Sequence, residues 1–230
     1  MGIIESSVLS PIRTRGPRDA VRTQAAILAA ATREFAHHGM GGARVDRIAA
    51  RAKTNKRMLY YYFGNKEALF LAVLESAYAR IRAAETQLSL LDVEPAESVR
   101  RLVEFTWNYY LAHPEFLTLL NSENLHRARH LKRSRNVRAM NSPVIETLAS
   151  VLARGARAGQ FRAGVDALQL YISIAALSYF YLGNNHTLSA VFGRDLAATR
   201  ARRERLAHMT DVVLGYLRAP AVDGRNGRRR

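Results

Sequence analysis

Apolar residues recur every three or four positions along most of this 230-residue chain, which is the spacing of amphipathic helices. One such helix is predicted from Arg18 to Phe35, and Gly39 supplies the left-handed residue that ends it. Two short helices follow over residues 44–51 and 55–62, each too short to be stable without a partner. The first part of the chain is therefore expected to pack as a group of helices.

Longer helical patterns fill the rest of the chain. Asn65 is a good N-cap for a helix from Lys66, and an Asn-Ser-Pro sequence at 141–143 is typical of a helix start. The other predicted helices cover residues 99–113, 115–124, 142–158, 166–182 and 195–217. No stretch alternates apolar and polar residues as a strand does. The sequence predicts an all-α protein, with a three-helix N-terminal unit and a larger C-terminal helical bundle.

Composition and charge narrow the range of functions. Apolar residues make up 48% and charged residues 23%, as in ordinary folded proteins. There is no cysteine, which excludes disulfides, thiolate-bound zinc, iron–sulfur clusters and cysteine nucleophiles. The net charge is +16, so the surface attracts polyanions such as nucleic acid or an anionic membrane.

One uncharged run, residues 167–193, approaches the length of a membrane span. Polar side chains interrupt the run, and Gly-Asn-Asn-His at 183–186 stops it, so we expect a helix buried between protein surfaces. The N-terminus lacks the basic and apolar regions of a secretory signal. A cytoplasmic protein that does not enter a membrane is the expectation.

The stretch from Arg44 to Leu69 carries the most specific pattern. Its two short helices are separated by about three residues, which is typical of a helix-turn-helix, whose second helix projects outward. Leu59 and Phe63 are expected to hold that helix to its support. Its outward residues offer amide, cationic and phenol groups that suit base edges and phosphates, namely Asn55, Lys56, Arg57, Tyr60 and Tyr61.

Residues 21–81 resemble the TetR family of bacterial transcriptional repressors in both identity and spacing. The resemblance is carried by Ile27-Leu28-Ala29-Ala30, Phe35 and Gly39, by Ile48-Ala49, by Leu59-Tyr60 with Tyr62-Phe63, and by Lys66-Glu67-Ala68-Leu69. It implies a homodimer that places one recognition helix per subunit in successive major grooves of a double-stranded DNA operator with inverted-repeat character. It also implies a divergent C-terminal domain that binds a small-molecule inducer and dimerises through its last two long helices.

This resemblance and the composition divide the chain into four parts. Residues 1–17 are expected to form a flexible basic arm and residues 219–230 a flexible basic tail. Residues 18–82 are expected to form the DNA-binding domain, with the helix-turn-helix at 44–63. Residues 83–218 are expected to bind the ligand and to dimerise.

Two positions depart from the family pattern. The N-cap of the second helix, commonly Thr, is assigned to Ala43, which loses a capping bond worth about 1 kcal/mol. The turn, commonly Gly, holds Lys53. Either a non-glycine residue adopts a positive φ there, or the turn differs from that of the family.

The resemblance implies roles for individual residues. Asn55, Lys56, Arg57 and Tyr61 are expected to face base edges, and Arg44, Thr54, Tyr60 and Lys66 to contact the DNA backbone. Five aromatic residues are candidates to line the inducer cavity, with plain core positions as the alternative, namely Trp107, Tyr110, Phe116, Tyr171 and Tyr179.

Three further patterns concern the C-terminal part. Basic residues between 127 and 138 either contact DNA or an anionic inducer, or form a solvated helix and loop. His126 and His130 have the i, i+4 spacing of a metal-binding pair on a helix, but no suitable further ligands accompany them. No metal and no cofactor are predicted. The helices at 142–158 and 167–182 are the most apolar and are expected to form the subunit contact.

A ligand-responsive DNA-binding repressor accounts for the charge, the helix-turn-helix and the apolar C-terminal part together. An enzyme is not expected, because the chain has no P-loop, no GxSxG, no HExxH and no suitably spaced pair of carboxylates. The alternative is a basic protein that binds nucleic acid without sequence preference or lies on a membrane surface, using its tails and the basic cluster.

Overall fold

A computed structural model describes residues 17–219, and most of these residues are helical. The α-helices of this range are α1 (Pro17–Gly42), α2 (Val45–Arg51), α3 (Lys56–Phe63), α4 (Lys66–Thr86), α5 (Pro95–Ala112), α6 (Pro114–Leu125), α7 (Arg135–Arg157), α8 (Ala167–Gly183), α9 (Asn185–Phe192) and α10 (Thr199–Leu217). A 3-10 helix, Leu131–Arg133, precedes α7. Within residues 17–219 the β pairing is limited to one isolated bridge, between Phe161 and Arg218. The prediction of an all-α protein is confirmed.

The two predicted tails fall almost wholly outside the described residues. Of the arm at 1–17 only Pro17 is described, where it begins α1, and of the tail at 219–230 only Ala219 is described. No helix between residues 17 and 219 has the length and apolar character needed to cross a bilayer.

The first of two apolar cores contains buried side chains from each of the helices α1, α2, α3 and α4, and from α6. Phe35 of α1 and Phe70 of α4 are fully buried, and their rings meet edge to face with centroids 5.0 Å apart. Phe116 and Leu119 of α6 are buried in the same core. α4 continues without a break through the predicted domain boundary at residue 82. The helix-turn-helix unit and the C-terminal part therefore share this helix.

The second core lies between α5, α7, α8 and α10. Trp107 of α5, Leu148 of α7, Ile174 of α8 and Val213 of α10 are all buried in it. The predicted helices of the C-terminal part therefore form one bundle, as expected for an apolar C-terminal domain.

The backbone at the helix-turn-helix resolves the two departures from the family pattern. Lys53 adopts a positive φ of 51°, so a non-glycine residue does occupy the left-handed position of the turn. Arg44, and not Ala43, is the N-cap of α2, with extended dihedrals of φ −115° and ψ 124°. Ala43 is instead buried in the first core, and α2 has no side-chain cap of its own. Gly39 has φ 61° and breaks the helical backbone at the end of α1, as predicted.

Two predicted helices of the C-terminal part begin at the wrong residue. α7 starts at Arg135, so Pro143 lies inside the helix and does not begin it. The start is fixed by Ser134, whose hydroxyl accepts a hydrogen bond from the Val137 N–H at 3.2 Å and donates one to Glu75 at 2.5 Å. The helix predicted from residue 195 begins only at Thr199.

Two other local differences follow from short-range geometry. A separate short helix, α9, follows α8 and was not predicted. His126 and His130 are not on one helix, because Arg127 and Ala128 have positive φ values of 55° and 56° and turn the chain after α6.

Candidate nucleic-acid interface

α3 is held by one face and exposes the other. Asn55 is its N-cap, and its Oδ1 accepts a hydrogen bond from the Met58 N–H at 3.0 Å. Leu59 is 2% exposed and fixes the inner face, whereas Tyr61 is 77% exposed and Tyr60 is exposed beside it. With Oδ1 engaged in capping, Asn55 has its amide N–H groups left to offer a base edge.

Two of the predicted base-facing residues are cations in the first turn of α3. Lys56 Nζ pairs with Asp46 Oδ1 of α2 at 2.6 Å, and both side chains are about half exposed. Arg57 is exposed, and it has no ion-pair partner among residues 17–219. An exposed ion pair is worth about 1 kcal/mol or less, so Lys56 can exchange Asp46 for a phosphate or a base edge at small cost.

The residues predicted to touch the DNA backbone lie at the starts of the neighbouring helices. Arg44 is exposed immediately before α2, and Lys66 begins α4, where its Nζ donates to the Gly41 carbonyl at 3.3 Å. Thr54 is half-buried in the turn, and its N–H donates to the Ala49 carbonyl at 3.0 Å. Helix N-termini and cations together favour phosphate, so this edge of the unit is suited to a polyanion.

A buried carboxylate that the sequence reasoning missed holds α2 in place. Glu34 of α1 is 1% exposed, and its Oε1 accepts a hydrogen bond from the Arg44 N–H at 3.1 Å. Arg47 Nη1 lies 3.5 Å from Oε1, and Arg51 Nη1 lies 3.9 Å from Oε2. α2 has no side-chain cap of its own, and Glu34 supplies the hydrogen-bond acceptor at its start instead. Glu34 also faces two cations of that helix. Glu34 lies seven residues after the buried Ile27 and therefore falls on the inner face of α1. This spacing is the feature of the sequence that could have identified it.

The segment after α6 is tied to the helix-turn-helix unit. Glu123 Oε1 accepts hydrogen bonds from the N–H groups of His130 and Leu131, both at 2.9 Å, and its Oε2 lies 2.6 Å from His130 Nδ1. The His130 ring meets Phe70 of α4 edge to face at 5.0 Å. These contacts fix the chain after α6 against α4.

Polar contacts extend the same connection. Ser122 Oγ of α6 accepts the Met40 N–H at 3.1 Å, and Arg129 Nη2 pairs with Glu67 of α4 at 2.7 Å. Part of the basic cluster at 127–138 is therefore engaged in ion pairing within the chain. Residues 17–219 contain no group of three or more His, Asp or Glu side chains placed to hold a metal ion.

The five aromatic residues predicted to line an inducer cavity are not gathered around one cavity. Trp107 packs against Tyr181 in the second core at 5.6 Å, and Phe116 is buried in the first. Tyr110 is also buried in the first core, and the Tyr179 hydroxyl donates to Asn121 of α6. Trp107, Tyr110 and Phe116 thus occupy core positions, the alternative left open by the sequence, and their role in binding an inducer stays a prediction.

Tyr171 differs, because it belongs to a buried polar cluster beside a cavity. The Arg82 Nη2 donates to the Tyr171 hydroxyl at 2.5 Å, and that hydroxyl donates to Glu85 Oε1 at 3.3 Å. Arg82 Nη1 lies 2.7 Å from Glu85 Oε2. Burial raises the pKa of Glu85 to about 7, although the adjacent Arg82 acts to lower it. Burial also raises the pKa of Tyr171 to about 12.

The cavity itself lies between α4, the loop that follows it and α7, and has a volume of about 570 Å³. Its wall is mostly aliphatic, with Leu90, Met140 and Val144 among its residues, and it includes Arg82 and Glu85. A site of this size and composition is typical of small-molecule pockets. None of the five predicted aromatic residues forms its wall, and only Tyr171 bonds to residues that do.

An exposed apolar surface occupies α8 and α10. Leu168, Ile172 and Phe180 of α8 are exposed, as are Val212 and Tyr216 of α10. The predicted subunit contact also included the helix at 142–158. In α7, which covers this segment, Leu148, Val151 and Leu152 are buried in the second core, whereas Ile145 is only partly buried.

Comparisons with known proteins agree with this arrangement. A family model described as "Bacterial regulatory proteins, tetR family" matches residues 27–73, and one described as "Tetracyclin repressor-like, C-terminal domain" matches residues 95–213. The chain is 42% identical over 201 residues to the HTH-type transcriptional repressor NicS of Pseudomonas putida, across 87% of this chain and 95% of that protein.

A second relative and a solved structure extend the comparison. The chain is 41% identical over 108 residues to the HTH-type transcriptional repressor SCO4008 of Streptomyces coelicolor, which is 47% of this chain and 53% of that protein. The crystal structure of SCO4942 from the same species superposes with a TM-score of 0.64 at 27% identity, covering 86% of this chain and 99% of that one.

Proposed function

The chain belongs to the TetR family of bacterial regulatory proteins and is a DNA-binding transcriptional repressor rather than an enzyme, and from this premise we propose how it binds its operator. It binds double-stranded DNA with inverted-repeat character as a homodimer, with one α3 in each of two successive major grooves. A small-molecule inducer in the C-terminal part releases the DNA. Such a protein acts where the bacterial chromosome lies, in the cytoplasm.

The exposed face of α3 is the single observation that carries the proposal for DNA. Its side chains include two cations and two tyrosines, while Leu59 anchors the opposite face. A recognition helix needs this division, because base contacts specify sequence only if the helix is rigidly placed. Asn55, Lys56, Arg57 and Tyr61 are proposed to face bases.

The proposed dimer rests on the apolar surface of α8 and α10. These are the last two long helices, the pair that the family resemblance implies for dimerisation. Exposed Ile172 and Phe180 on α8 and Val212 on α10 would be removed from water by a second copy. A dimer presents two copies of α3, which an operator with two half-sites requires.

Footprinting of the purified protein on the DNA that flanks its own gene tests the proposal. We expect one discrete protected region with approximate dyad symmetry. Lys56→Ala and Arg57→Ala should each weaken operator binding by about 1–3 kcal/mol if the residue reads a base. Arg100→Ala is the control, because it removes the same charge from α5, where Arg100 has Glu97 as its one ion-pair partner among residues 17–219. Unchanged affinity in both α3 variants removes Lys56 and Arg57 from the interface.

A further inference from the structure

The cavity between α4, the following loop and α7 contains a buried guanidinium with unused hydrogen-bonding capacity. Arg82 is 9% exposed and Glu85 is 6% exposed, and both contribute to the cavity wall. Arg82 Nε and Nη1 and Glu85 Oε2 have no hydrogen-bond partner within residues 17–219. The 2.7 Å approach of Nη1 to Oε2 is an ion pair whose geometry does not make a hydrogen bond.

Buried polar atoms without partners are costly, and a ligand that supplies the missing partners recovers that cost. Arg82 Nε has no partner within residues 17–219 and Nη1 has only the ion pair with Glu85, so both can donate to an added acceptor. A carboxylate offers two oxygens and a negative charge to a guanidinium, which is the strongest of the common pairings. An amine offers no acceptor and would place a second positive charge beside Arg82.

The rest of the wall determines what the carboxylate is attached to. Most of it is apolar, with Leu90 and Leu91 of the loop and Met140, Pro143 and Val144 of α7, and Asp92 and a few hydroxyl groups interrupt this apolar surface. A volume of about 570 Å³ accommodates a small molecule of about ten non-hydrogen atoms with space to spare. The body of the ligand is therefore apolar.

Charge balance is maintained by Glu85. Two anions beside one guanidinium would leave an excess negative charge in a desolvated site. Burial already raises the pKa of Glu85 to about 7, so its protonation near neutral pH costs little. The groups that face it are Arg82 of α4, Tyr110 of α5 and Tyr171 of α8. Asp92 of the loop also lines the cavity, and the α7 residues of the wall do not titrate.

We propose that this cavity is the inducer site and that its ligand is a small monocarboxylate with an apolar body, which binds Arg82 while Glu85 takes up one proton. The inducer role of this ligand rests on the proposed function, whereas the binding of a carboxylate in the cavity does not. Tyr171 holds the Arg82 guanidinium from α8, so a ligand at Arg82 acts on α4 and α8 together.

Thermal unfolding of the full chain at pH 6 tests the ligand class. The probes are benzoate and hexanoate, their primary amides, and benzylamine and hexylamine, each at 5 mM. We expect at least one carboxylate to raise Tm, by about 3–6 °C at tenfold excess over Kd, and the matched amides and amines to have no comparable effect. No shift with either carboxylate, or a larger shift with an amide or amine, overturns the proposal.

The pH dependence tests the role of Glu85. A bound carboxylate raises the pKa of Glu85 further, so protons are taken up on binding, and Kd should weaken about fivefold between pH 7 and pH 8. Below pH 7 the affinity should be nearly constant. Glu85→Gln should bind the carboxylate with no such dependence. A pH dependence that survives in Glu85→Gln overturns the assignment of the proton to this residue.

Arg82→Gln should abolish the carboxylate shift, and Arg80→Gln, an exposed position on the same helix, is its control. Should Arg82→Gln fail to fold, the wild-type probes and Glu85→Gln decide alone. Operator binding is measured in parallel. If a carboxylate binds but does not release the operator, the inducer role is contradicted and the binding site stands. If the protein binds its operator but no carboxylate shifts Tm, the binding site is refuted and the DNA-binding function stands.

Discussion

Glu34 offers a direct way to test how the recognition unit is held together. Replacing Glu34 by Ala removes the acceptor of the Arg44 N–H bond at 3.1 Å and leaves that donor without a partner at the start of α2. A lost hydrogen bond to a charged group costs about 1.5–3 kcal/mol, and a partly buried donor left without a partner costs up to about 1–3 kcal/mol. These figures describe one lost interaction, so they are not added.

The cationic partners of Glu34 contribute less. Arg47 and Arg51 are 50% and 45% exposed, and their distances to the carboxylate are 3.5 and 3.9 Å. Solvent screening limits each pair to about 0–1 kcal/mol. Glu34→Ala should therefore reduce the free energy of unfolding by about 2–4 kcal/mol. Glu34→Gln, which keeps an acceptor oxygen, should cost roughly half as much.

Urea unfolding monitored by circular dichroism measures the change. The midpoint urea concentrations are compared for variants whose free energy depends on urea with the same slope. Glu104→Ala is the control, because Glu104 is an exposed glutamate of α5 and its loss should change stability by no more than about 0.5 kcal/mol. Operator affinity should also fall in Glu34→Ala, since α2 supports α3. A Glu34→Ala protein as stable as Glu104→Ala would refute the role assigned to the buried carboxylate.

Three other predictions concern packing and association. Leu59→Ala should cost about 2–5 kcal/mol of stability and weaken operator binding, because Leu59 fixes the inner face of α3; normal affinity in a destabilised protein would contradict this. Gly155→Ala should destabilise the protein despite a helix-propensity gain of about 1 kcal/mol, because its Cβ would lie 2.1 Å from Phe161 Cδ2. A higher urea midpoint for this variant would contradict the prediction. Ile172→Glu should shift the mass from dimer to monomer in light scattering, and an unchanged dimer would place the interface elsewhere.

Local patterns predicted the recognition unit well. Asn65 caps α4 through its hydrogen bond to the Ala68 N–H at 2.8 Å, and the apolar positions of α4 are buried as their spacing predicts. Helix caps and periodicity depend on residues a few positions apart, so one sequence contains the necessary information. The same holds for Gly39, whose positive φ ends the regular part of α1.

Features that depend on distant contacts were not predictable. Arg82 meets Tyr171 across 89 positions of sequence, and Ser134 anchors α7 to Glu75 across 59. Nothing near Arg82 in the sequence indicates that its partners lie in α8. The proline at 143 was interpreted as a helix start because proline suits that position, but the Ser134 cap begins the helix nine positions earlier and one missing N–H is tolerated.

The aromatic residues of the C-terminal part show why composition alone does not locate a ligand site. Trp107 and Phe116 are large and apolar, and each is buried in a different core of the chain. The cavity instead adjoins Arg82 and Glu85, whose charges appear in the sequence as ordinary members of an i, i+3 pair on a helix. Their burial is a property of the bundle.

Selection from a pool of randomised DNA duplexes by the purified protein tests the central claim that α3 reads sequence as part of a dimer. We predict enrichment of an inverted repeat with half-sites one helical turn apart, about 34–36 Å or 10–10.5 base pairs between centres. The Lys56→Ala and Arg57→Ala proteins should select a less specific form of the same repeat. Retention of duplexes without any enriched sequence, or an unchanged motif in both variants, would contradict the account.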